Sequence, residues 1–189
     1  IMQPKSHHTK TLKAMTMALL VGLSSAAHAG AESFAPGTAI PEFGQVAKVE
    51  STLAIPAGMK FKVAFDMSKA ADVGQVNRQL DSLARFINMH VAAGVKESDI
   101  ELAMVVHGSA VGDLADDSFY AKQHNGAQNP NKALVKTLVA HGVKFYICGQ
   151  SAAYFDLHNA SLLPGVDMAL SAMTAHAILA QQGFSQNPF

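Results

Sequence analysis

The amino-acid sequence predicts an α/β protein, a three-layer α/β/α sandwich on a mainly parallel sheet of about five strands. Three patterns lead there. Short apolar runs bounded by turn residues alternate with amphipathic helical stretches. The run 102–106 is apolar at every position, as a strand covered on both faces requires. The connections between runs are short enough for right-handed crossovers between parallel neighbours. With 189 residues, 49% hydrophobic and 15% charged, the chain can fill one core.

The first 29 residues differ from the rest. Lys5, Lys10 and Lys13 precede an apolar run from Ala14 to Ala26, and Ala27-His28-Ala29 follows. This is the order of a secretory signal peptide with cleavage after Ala29. The apolar run is about 13 residues, short of the roughly 20 that span a bilayer. A periplasmic or secreted protein is therefore expected, with no membrane segment after cleavage. The formal charge is zero, and no lysine- or arginine-rich run could follow a phosphate backbone, so nucleic acid is not an expected partner.

Residues 30–58 carry Pro36, Gly37, Pro41 and Gly44 and read as an extended arm, in which 46–54 admits a short edge strand. The domain proper is expected over 59–189. Its first strand is 61–66. A helix follows, with Asp72 as N-cap, Gln75 at capping-box spacing, one face formed by Val73, Val76, Leu80, Leu83, Ile87 and Val91, and a stop at Gly94. The second strand is 100–106. The stretch 110–129 reads as a long loop with some helix, containing Asp113, Asp116 and Asp117. Asn129-Pro130 opens the next helix as N-cap and first helical residue, ending at His141-Gly142. A strand to Cys148, a short helix over 151–158, a strand at 166–170 and a final helix over 172–182, with Ile178 and Leu179 inward and Gly183 closing it, complete the chain.

Cys148 is the only cysteine, so no disulfide within the chain can form. It stands where a strand hands over to a helix, and the backbone N–H groups of Gly149, Gln150 and Ser151 are placed to favour its thiolate. Gly149 also allows close approach of a ligand. A buried cysteine packing as a small hydrophobe is the alternative. His107, followed by Gly108, ends the preceding strand and is the candidate proton partner of the thiol. Asp66 either orients a ligand or caps the turn after its strand. No metal-ligand spacing surrounds the cysteine, and the three aspartates lack the order of a calcium loop. Neither metal nor cofactor is expected.

The segments Val105-Val106-His107-Gly108, Asn131 with its helix, Gly142-Val143-Lys144-Phe145-Tyr146-Ile147-Cys148-Gly149-Gln150-Ser151, and Leu163-Pro164-Gly165-Val166 through Gln182-Gly183-Phe184 resemble the DsrE/DsrF-like family over about residues 60–184. The Cys-Gly-Gln-Ser block is similar to an exported branch of it. The resemblance implies a small α/β/α sandwich assembling as a homo-oligomer, trimer or hexamer. It also implies a sulfur-relay chemistry in which a strand-end cysteine carries sulfane sulfur as a persulfide, taken from a donor protein or passed to an acceptor. That role falls on Cys148, with His107 assisting and Gly108, Gly149, Gln150 and Ser151 around the ligand. The competing expectation is a non-catalytic oligomeric module, binding a small molecule or a protein, with a structural cysteine.

Overall fold

The computed structural model describes Met2 and residues 30–187. Apart from Met2, the expected signal peptide lies outside the described residues. Five strands, β1 (Phe61–Met67), β2 (Ile100–Val106), β3 (Lys144–Cys148), β4 (Val166–Ala169) and β5 (Ser185–Asn187), form one sheet in the order β4-β3-β2-β1-β5. Every pairing is parallel. Among the described residues five α-helices accompany them: α1 (Arg78–Ala92), α2 (Asp117–Gln123), α3 (Lys132–Ala140), α4 (Gly149–Tyr154) and α5 (Ala172–Gln181).

The strand order decides which face each helix covers. From β1 to β4 the chain steps across the sheet in one direction, so right-handed crossovers keep its helices on one side. The return from β4 to the far edge runs the other way and carries α5 to the opposite face. Strand alternation then divides the core. Val63, Phe65, Met67, Leu102, Met104, Val106, Phe145 and Ile147 pack under Leu80, Leu83, Ile87, Leu134 and Leu138 of α1 and α3. On the second face Ala64, Ala103 and Val105 meet Ala175, Leu179 and Phe184. Small residues on that face let α5 lie close to the sheet.

Several boundaries differ from the expectation, each for a local reason. The fifth strand is β5, not 46–54. In the arm only Val46 bridges, antiparallel to Ala35, and the edge beside β1 is occupied by 185–187. The arm is fixed instead by Asn88 of α1, fully buried. Its Oδ1 accepts from Ile40 N at 2.8 Å, and its Nδ2 donates to the carbonyls of Ile40, Phe43 and Gly44.

Helix α1 begins five residues later than the capping-box spacing predicts, because Asn77 is the cap. Its side chain accepts from Gln79 N, while its amide donates to Asp113 Oδ2 at 2.7 Å and its backbone N–H to Asn131 Oδ1 at 2.7 Å. Asp72 merely closes a turn with Gln75, and Val73 is exposed. Asn129 is likewise buried rather than terminal: it donates to the carbonyls of Asp113 and Ala115 and accepts from Asn131 N, so α3 starts at Lys132. The stretch 110–129 thus contains the end of a 3-10 turn (Gly108–Leu114) and α2, held by these buried amides. Asp116 caps α2 through Phe119 N, and Asp117 pairs with Lys132. In α5 Leu179 is inward as expected, but Ile178 is half exposed. Among the described residues no helix is long and apolar enough to cross a membrane.

Candidate functional site

The parity of the parallel register brings three side chains together, and a helix adds a fourth. Asp66 pairs with Val105 across β1 and β2, and Val105 pairs with Tyr146 across β2 and β3, so positions of equal parity share a face. Two residues beyond Val105 comes His107, and two beyond Tyr146 comes Cys148. Asp66, His107 and Cys148 therefore stand at the carboxyl edge on the face covered by α5. The second turn of α5 adds His176. A cavity of about 330 Å³ opens among them, lined also by Gln150, Ser151, Ser171, Ala172 and Met173. Position at the strand carboxyl ends is where an open α/β sheet presents ligands.

The cysteine sulfur sits between two helix starts. Strand β3 passes into α4 without a linker, and α5 begins three residues beyond the neighbouring β4. Burial pushes the Cys148 thiol up. That is outweighed by the Ser151 hydroxyl and by the backbone N–H groups of Ser151, Ala172 and Gln150, so the thiol is held below its ordinary value. Ser151 is in turn fixed by Gly108, whose N–H donates to its Oγ at 3.0 Å. Cys148 is 6% exposed, a narrow opening onto the cavity.

The two glycines expected beside a ligand serve the scaffold. Gly108 takes a positive φ of 56°, and a Cβ there would lie 2.8 Å from the Ser68 carbonyl. A Cβ on Gly149 would lie 2.6 Å from the Ala169 carbonyl, so glycine is what lets the start of α4 pass the end of β4. Neither lines the cavity, whereas Cys148, His107, Gln150 and Ser151 do.

The hydrogen bond of His107 goes to Asp66. Its Nε2 donates to Oδ2 at 3.0 Å, and His176 Nε2 donates to Oδ1 at 2.8 Å. Burial raises the Asp66 carboxyl, but bonds from His176 and His107 outweigh it and hold the group below the usual carboxylate range. Asp66 is thus an ionised acceptor shared by two imidazoles. His176 escapes a sequence reading because it lies far along the chain in an alanine-rich helix. The signal that leads to it is Ser171, whose side chain accepts from Thr174 N to start a helix at the same sheet edge. Among the described residues no group of three or more His, Cys, Asp or Glu side chains is arranged to hold a metal ion.

Comparisons with known proteins agree with this architecture. The family model described as DsrE/DsrF-like family matches residues 59–186. Among solved structures, the protein of unknown function MTH1491 from Methanobacterium thermoautotrophicum is similar, at 16% identity and a TM-score of 0.50, with 69% of this chain and all of that one covered. YchN from E. coli is similar at 16% identity and a TM-score of 0.45, covering 68% of this chain and 100% of its own. No curated protein matches.

Proposed function

Since this chain belongs to the DsrE/DsrF-like family, we propose that it handles sulfane sulfur, carrying it as a persulfide on Cys148. The observation that carries this is the place of Cys148 at a strand end on the wall of an open cavity, beside Ser151 and the start of α5, with its thiol held below its ordinary value. Such surroundings favour the thiolate, which is the attacking form. The thiolate attacks the terminal sulfur of a donor R–S–S⁻. The Cys148 S–S bond forms, the donor S–S bond breaks, and R–S⁻ leaves with the electron pair. One disulfide-type bond replaces another, so no external oxidant or reductant is consumed. His107 serves the proton transfers that accompany sulfur arrival and departure.

Incubation with polysulfide or thiosulfate followed by intact mass measurement tests this. The expected result is the mass of added sulfur on wild type and none on Cys148→Ala. No added mass on wild type, or equal addition to both, refutes it.

The competing reading, a non-catalytic binding module with a structural cysteine, draws on the 6% exposure of Cys148. Resistance of the native thiol to a small alkylating agent decides in its favour. With either role we expect a periplasmic or secreted homo-oligomer, trimer or hexamer. Sedimentation of the mature protein and fractionation of expressing cells test these two expectations.

A further inference from the structure

We propose that Asp66 and His176 are positioning residues for a proton relay at His107, which takes the proton of the acceptor thiol as sulfur leaves Cys148. This deepens the persulfide role proposed above and rests on it. The titratable side chains lining the cavity are Asp66 from β1, His107 beyond β2, Cys148 from β3 and His176 from α5. Each oxygen of Asp66 is taken by a different ring, Oδ1 by His176 and Oδ2 by His107. An ionised carboxylate only accepts, so both Nε2 atoms carry hydrogen and Nδ1 is the remaining nitrogen on each ring.

The two rings then differ. Nδ1 of His176 is buried and has no hydrogen-bond partner among the described residues, so a hydrogen placed there would meet no acceptor. Its ring is a fixed donor that holds the carboxylate in place. The side chain of His107 is 35% exposed and faces the cavity, where an incoming thiol can reach it. The arrangement is a nucleophile's base oriented by a carboxylate, with a second imidazole orienting the carboxylate.

In the transfer, the acceptor R–S–H gives its proton to His107. R–S⁻ attacks the outer sulfur of the Cys148 persulfide anion, the new bond gives R–S–S⁻, and the old S–S pair returns to the Cys148 sulfur. The surroundings that hold the Cys148 thiol below its ordinary value favour the returning charge. The imidazolium offsets the repulsion between two sulfur anions in a small space.

The test is a single turnover. Protein loaded with sodium polysulfide and desalted is mixed with 2-mercaptoethanol, and loss of the added sulfur mass is followed across pH. Glutamine at either histidine can still donate to Asp66 but cannot take a proton. His107→Gln is expected to slow release about a hundredfold and to flatten its pH profile. His176→Leu, lacking the donor, is expected to slow release about tenfold, and His176→Gln, which restores a donor to Asp66, to recover most of that loss with a pH-dependent profile. Should His176→Leu not fold, Asp66→Asn replaces it with the same expected slowing. Equal rates for the two glutamine variants overturn the division of roles. Failure of wild type to load overturns the persulfide role itself and the relay with it, while normal loading with unchanged release in every variant overturns the relay alone.

Discussion

Replacing Ser151 with alanine isolates the part of the site that makes the thiol acidic. The hydroxyl is among the groups that hold the Cys148 thiol below its ordinary value, and its oxygen accepts from the Gly108 N–H at 3.0 Å. A hydrogen bond to a charged group contributes about 1.5–3 kcal/mol, and the cavity is open enough to water that the lower end applies. About 1.4 kcal/mol is a factor of ten between thiol and thiolate. The rate of iodoacetamide alkylation at neutral pH, which follows the thiolate fraction, should therefore fall about tenfold in Ser151→Ala. The midpoint of its pH profile should move up. A threonine at 151 retains the hydroxyl and should restore most of the rate. The orphaned Gly108 N–H is half-buried, so a loss of about 1 kcal/mol in unfolding free energy should accompany the change. An unchanged alkylation profile in Ser151→Ala would falsify the claim that the hydroxyl lowers the thiol.

Three further outcomes are expected. Gly149→Ala forces a Cβ to 2.6 Å from the Ala169 carbonyl and should lower urea stability by about 1–3 kcal/mol, with no loss if the junction of β4 and α4 can simply open. Asn88→Leu leaves the backbone groups of Ile40, Phe43 and Gly44 without their partner; about 2–4 kcal/mol should be lost and limited proteolysis should cut within 35–46 first, whereas an unchanged cleavage pattern contradicts the pinning. The Asp66 carboxyl is held below its ordinary value, so its contribution to stability is complete above the unfolded value of about 3.9 and is lost as pH falls through the folded one. Urea midpoints of wild type should therefore drop more steeply on acidification than those of Asp66→Asn, and parallel pH curves refute it.

Much of the site can be read from residue order because strand parity and the carboxyl-edge rule use only local pattern. Cys148, His107, Gln150 and Ser151 meet where those rules put them. What local pattern cannot supply is partnership across the chain. His107 turns to Asp66 because His176, 110 residues beyond Asp66, clamps the other oxygen. Asn77 rather than Asp72 starts α1 because Asn131 and Asp113 reach it from another crossover. The strand 185–187 is nearly polar throughout and carries no apolar alternation, so only the vacant edge beside β1 identifies it. In each case the deciding interaction joins segments whose proximity is created by the fold.

The long return from β4 to β5 also sets an order of events. The Ala172 N–H and the imidazole of His176 belong to α5, which follows every strand except the last. Until that helix docks across the second face, Cys148 lacks one of the groups that lower its thiol, and Asp66 has only one of its rings. A chain in which α5 has not docked thus carries an incomplete site. Completion of the fold is therefore what completes the site.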